Sequence, residues 1–321
     1  MKNKKTMALI SGVVGVCMLT TAAVASYQTP NGYDALKKSI LGTMDYTNCT
    51  VSASMSMELD GSEIMKMNGL HELALDSNIT HTSSSFALAG ENPYRADVYY
   101  CGDKEYSLAQ STNLSAGDNE YYSCAYPHTK PNLWDIEPED RETADKIIRF
   151  MELASDTVVG DLRNNFVCTD DSDDSTSYSL TLDSVQIPEL VNAGLSMLFS
   201  MENSYAQRTV VYTDENGASV TEDIDRSQDP SDSTYYTTIM GNDPILDSMM
   251  MDYTVNEDGT FRDGAMSVAF TGNGHTMMFN ISCNISDVGT TSVATPQEQG
   301  FKITEMSYDD YTETEEAVTE Q

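Results

Sequence analysis

Nineteen methionines stand in this chain, and several are paired by parity: Met55-Ser56-Met57, Met65-Lys66-Met67 and Met277, which Phe279 and Ile281 follow at the same spacing. On a β-strand, residues two apart share a face, so each Met-x-Met places two thioethers side by side. Thioethers with His71 or His275 nearby are the ligands a soft cuprous ion would take. The same faces, however, carry Val51, Ala53, Leu59 and Phe279, where core residues belong, so no metal site is expected. Methionine also repacks easily around irregular apolar shapes, which suits a binding surface as well as a core. Met55, Met57, Met65, Met67, Met277, Phe279 and Ile281 are therefore the candidate lining for an apolar ligand.

Catalytic chemistry has no comparable anchor. The chain lacks GxSxG, HExxH, a P-loop and a dinucleotide fingerprint, and its four histidines lie far apart at positions 71, 81, 128 and 275. Carboxylates are too numerous for any pair to point to acid–base work. The acidic turns Asp170-Asp171-Ser172-Asp173-Asp174, Asp214-Glu215-Asn216-Gly217 and Asn256-Glu257-Asp258-Gly259 do not fit a calcium-binding EF-hand loop, and read as solvated turns. Neither an enzyme nor a cofactor is expected.

Charge narrows the partners. With 17 Lys+Arg against 51 Asp+Glu in 321 residues, the formal net charge is -34 at pH 7. Such a surface excludes nucleic acid and is repelled by anionic membranes. Lys2, Lys4 and Lys5 precede an uncharged run from Thr6 to Ala25, and Ala23-Val24-Ala25 resembles a signal-peptidase site. Residues 1–25 are expected to be a secretory signal or an uncleaved membrane anchor, and both place the rest outside the cytoplasm. Cys49, Cys101, Cys124, Cys168 and Cys283 would then remain, an odd set that allows at most two internal disulfides.

The elements that must position these residues follow from periodicity. Tyr33, Leu36, Ile40 and Met44 predict a short amphipathic helix, and Cys49 to Leu59 alternates as a strand. Placing Met65 and Met67 on the face of Met55 and Met57 requires a three-residue loop, Asp60 to Ser62. Further strands are expected at 82–88, 94–101, 105–110 and 120–126, completing an antiparallel meander. Ala144, Ile147, Ile148, Met151, Ala154, Val158 and Leu162 describe a helical stripe. An acidic loop at 169–176 leads to a strand at 177–183, and Ile187-Pro188 opens another helix. Residues 212–236 read as a mobile acidic loop, 245–255, 261–271 and 277–285 as a closing meander, and 305–321 as a disordered tail. The domain is expected to span 26–304.

This order of elements resembles the half-barrel family of lipoprotein carriers (the LolA and LppX type) and related envelope sensors. The Asn31-Gly32-Tyr33 opening and the segment from Ser177 to Ala193 also resemble exported clostridial proteins of uncertain role. The resemblance implies an α+β fold, a strongly curved antiparallel sheet with helices packed on its concave side. It also implies a non-catalytic extracytoplasmic binding or sensing role. The expected partner is an apolar ligand, a lipid among them, or a protein of the cell envelope. The alternative is an envelope structural protein with a solid core and no ligand.

Overall fold

The computed structural model describes residues 32–89, 93–108, 120–125, 133–134, 136, 140–159, 165–204, 207–213, 219–228 and 233–307. Residues 1–25, the expected signal or anchor, and nearly all of the expected tail lie outside them. The first half contains α1 (Gly32–Gly42), β1 (Asn48–Leu59), β2 (Ser62–Ala74), β3 (Ile79–Leu88), β4 (Tyr94–Cys101), β5 (Lys104–Leu108), β6 (Glu120–Ala125) and α2 (Arg141–Val159). The second half contains β7 (Phe166–Asp171), β8 (Ser175–Asp183), α3 (Glu189–Asn203), β9 (Gln207–Thr213), β10 (Ser219–Asp225) and α4 (Ser233–Met240). It closes with β11 (Ile245–Asn256), β12 (Phe261–Gly272), β13 (His275–Ser286) and β14 (Lys302–Glu305).

Among the described residues twelve strands form one sheet in the order β14-β6-β5-β4-β3-β2-β1-β13-β12-β11-β8-β7, antiparallel throughout except where β14 runs parallel to β6. The fold is α+β as expected, and the sheet is not closed into a barrel. β1 and β13 are neighbours at its centre, so the two meanders of the chain meet there. Long antiparallel strands with one apolar face need a cover on that side only. α1, α3 and α4 supply it through Leu36, through Val191, Leu195 and Phe199, and through Tyr236 and Met240, all packed in one buried cluster with the sheet. Pro188 caps α3 with extended backbone, and the Asn192 side chain accepts a hydrogen bond from Leu246 N at 3.0 Å, which pins the helix to the start of β11.

Five expectations are corrected. The β1–β2 connection is a two-residue turn, with Asp60 and Gly61 both at positive φ (52° and 77°), rather than a three-residue loop. Parity is restored inside the ladder: Met57 pairs with Met65 and Glu58 with Glu63, so Ile64 is the extra residue of a β-bulge. The acidic stretch at 169–176 is mostly strand, β7 running to Asp171 and β8 beginning at Ser175. Residues 212–236 hold β10 and the first turn of α4, because Val220, Thr221 and Ile224 favour a strand despite their acidic neighbours. Finally, α2 forms over Arg141–Val159, where its periodicity predicts, but Ile147 of the stripe is exposed (58%), as are the neighbouring Phe150 and Leu153 (68% and 51%), so these three side chains are not packed into the core. Glu305, expected to begin the tail, ends β14.

Candidate functional site

All seven candidate lining residues fall on the helix-bearing face, in three adjacent cross-strand rows, the third of which places Met277 between Leu59 and Phe270. Met67 lies opposite Met55, Met55 opposite Ile281, and Ile281 opposite Met266. One row away Met65 faces Met57, Met57 faces Phe279, and Phe279 faces Val268. Met55, Met57, Met65, Met277 and Phe279 are buried beneath the helices, whereas Met67 and Ile281 are half-buried.

The cover thins toward the middle of β1. Ala53 is exposed although it faces the same side as Met55, and its register partners Gly69 and Cys283 are half-buried. Half-buried Val51 continues this strip. The helix-bearing face is therefore packed at both ends of β1, around Met57 at one and around Cys49, Leu73 and Ile285 at the other, with a shallow opening of small and apolar side chains between them. α2 is tied near its margin, since Arg141 pairs with Asp45 at 2.9 Å, just beyond α1.

The opposite face holds a dense titratable cluster. His81 places Nδ1 2.6 Å from Glu72 Oε2 and Nε2 2.9 Å from Asp97 Oδ1, and Arg95 reaches the second Asp97 oxygen at 3.0 Å. The imidazole stacks on Tyr99, with centroids 4.0 Å apart. Burial by itself would lower the His81 pKa, but hydrogen bonds to Asp97 and Glu72 outweigh it and hold the value above normal. Burial by itself would raise Asp97, yet its bonds to His81 and Arg95 hold it below the usual carboxylate range. Beside this clamp, Tyr99, Tyr106, Leu108 and Tyr121 form a second small core, which Phe301 and Ile303 cover. Glu72, His81 and Asp97 come from β2, β3 and β4, so the clamp is built as a cross-strand electrostatic lock. The sequence reading missed it: Glu72 and His81 are nine residues apart across a short 3-10 turn, and only the β2–β3 register makes them opposite.

Among the described residues no group of three His, Cys, Asp or Glu is arranged to hold a metal ion, and no disulfide forms. Burial pushes the Cys49 and Cys101 thiols up to about 11, so both stay protonated and unreactive at neutral pH. No helix among the described residues is long and apolar enough to cross a membrane.

No family profile matches the chain, and no curated protein matches it. Similar solved structures include a DUF1329 family protein from Desulfovibrio piger, 9% identical, covering 84% of this chain and 95% of that one with a TM-score of 0.20. A LolA superfamily protein from Nitrosomonas europaea is 8% identical over 81% of this chain and 94% of that one, with a TM-score of 0.19. A chain of the Pseudomonas aeruginosa MucA/MucB complex is 8% identical over 80% and 96%, with a TM-score of 0.17.

Proposed function

We propose that the protein is a non-catalytic binding protein acting outside the cytoplasm, which holds an apolar ligand on the helix-bearing face of its sheet. The observation that supports this reading is the incomplete cover of that face. Val51, Ala53, Met67, Ile281 and Cys283 share the side of the buried methionines yet keep contact with solvent. Met55, Met57, Met65, Met277 and Phe279 continue the same surface inward and form its floor. The exposed apolar residues Ile147, Phe150 and Leu153 of α2 have the chemistry to close over a bound tail. The extracytoplasmic location rests on residues 1–25.

Native mass spectrometry of the secreted chain, with added oleate as probe, tests this directly. A mass increment that vanishes on denaturation, and that is lost in Met67→Glu and Ile281→Glu, is the expected result. A bare polypeptide mass with and without oleate would instead support the second reading, an envelope interaction protein with a solid core. The burial of five of the seven candidate residues favours that second reading.

A further inference from the structure

We propose that the face of the sheet opposite the helices binds a neutral oligosaccharide, along a trough of small polar side chains that crosses β2, β1, β13, β12 and β11. Two cavities of about 480 and 530 Å3 lie there, and both are lined by Ser54, Asn68, Asp252, Ala265 and Ser282. Every lining residue belongs to the sheet itself. A twisted sheet is saddle-shaped, so each face is concave along one diagonal, and the serine and asparagine side chains of the trough stand on the face opposite Met55 and Met57.

The residue choice is not what strand stability alone would select. Outward-facing strand positions are best filled by β-branched or aromatic residues, whereas serine, asparagine and alanine are weak strand formers. Yet Ser52 pairs with Asn284, Ser54 with Ser282 and Ser56 with Asn280, and Ser267 continues the last row on β12. Their short side chains leave a channel between taller neighbours, Lys66 at one end and exposed Met250 at the other.

The lining selects the ligand by elimination. The trough crosses mid-sheet, where backbone donors and acceptors are already used in the ladders, so a peptide cannot add as a strand. Among the described residues Lys66 is the one cation lining the two cavities, and it stands against Asp252 and Asp263 in a chain of net charge -34, which disfavours anions. An aliphatic ligand would meet hydroxyls and amides. These groups are tied to one another, Ser54 to Ser282 at 2.7 Å and Ser267 to Asn280 at 2.5 Å, so their orientations are set. A hydroxyl or amide with one bond made still has capacity for another. Sugar hydroxyls donate and accept alike, matching serine and asparagine, while Asp252 can take two donated bonds and Met250 can meet a sugar's C–H face.

Isothermal titration of the secreted chain with a hexamer of β-1,4-linked N-acetylglucosamine, and separately with maltohexaose, tests the proposal. Saturable binding of at least one is expected. Ser282→Tyr fills the trough with a good strand former and should abolish binding at an unchanged melting temperature. Asp252→Asn should weaken binding about tenfold, the effect of one lost charged hydrogen bond. Met67→Glu, on the other face, should leave sugar binding intact, so failure of the apolar-ligand reading shows separately. Absence of binding to either hexamer at millimolar concentration, wild-type affinity in Ser282→Tyr, or saturable binding of spermine alone would overturn the proposal.

Discussion

His81 has both ring nitrogens within hydrogen-bond distance of carboxylates, and only a protonated imidazole can donate from both. Its folded pKa is raised, so its contribution to stability is complete below the unfolded histidine value of about 6.5 and is lost as pH rises through the folded value. Asp97 works in the other direction: its pKa is lowered, so its contribution is complete above the unfolded value of about 4 and is lost as pH falls. The other groups facing the clamp are Arg95, the stacked Tyr99 and the Tyr121 hydroxyl, which hydrogen-bonds Asp97 and is held far above its normal pKa by burial. Thermal melts should therefore show a stability maximum in mildly acidic solution and a decline on the alkaline side. In His81→Gln that alkaline decline should disappear, with a loss of about 3 kcal/mol at pH 6 because buried Asp97 loses its imidazolium partner and keeps only Arg95 and the Tyr121 hydroxyl. A variant that keeps the wild-type pH profile would remove His81 as its cause. The methionine rows allow a second comparison at this scale. Met57→Ala should cost about 2–4 kcal/mol as a cavity-forming change in a packed core, whereas half-buried Met67→Ala should cost under about 1 kcal/mol in urea denaturation. Equal losses would mean that the opening at Met67 is not there.

Among the elements, α4 docks closely on β12 at Gly272. A Cβ at Gly272 would lie 2.2 Å from the carbonyl oxygen of Met240, at the end of α4, so the backbone itself would have to move. Gly69, whose nearest neighbour to such an atom is at 4.0 Å, has room. Gly272→Ala is expected to destabilise by about 3 kcal/mol or more, on the scale of overpacked core sites, and Gly69→Ala to stay within about 0.5 kcal/mol. Denaturation midpoints of the two variants decide this, and similar midpoints would refute the close docking of α4. The same scale shows what the sequence makes legible. Alternation in Cys49 to Leu59 and in Met277 to Ile285 fixes which side chains face the core, because a single-residue slip would expose a whole row. The bulge at Ile64 leaves no such mark: turn and bulge together give the same parity as a longer loop, and only the pairing of both strands separates them. The His81 clamp is hidden for a related reason, since Asp97 comes from β4 and three strands must be in register before it exists. For α2, a 3.6-residue period reports amphipathicity and not the surface that will receive it.

An open sheet of twelve strands leaves two edges, and unpaired backbone there is a template for association with another chain. One edge is β14, a short strand bracketed by the pairs Lys302–Glu120 at 2.6 Å and Lys104–Glu305 at 3.0 Å. The other is β7, which carries a hazard, since Val167 is 58% exposed beside exposed Cys168. Two features oppose pairing at that edge. The register shifts between Cys168 and Asp170, a bulge that twists the strand away, and exposed Asp170 and Asp171 would face like charges on an approaching copy. The net charge of -34 adds a long-range repulsion that salt screens within about 10 Å at 0.1 M. The edge and the overall charge thus make separable contributions to keeping copies apart. With reductant present to exclude Cys168 disulfides, the double variant Asp170→Val, Asp171→Val should self-associate in sedimentation velocity even at low salt, where the wild-type chain sediments as one species. Raising the salt should push the variant further toward association and leave the wild type little changed, because the bulge does not depend on ionic strength. If the variant instead stays monomeric at every salt concentration, the bulge alone guards the edge, and the acidic pair serves only solubility.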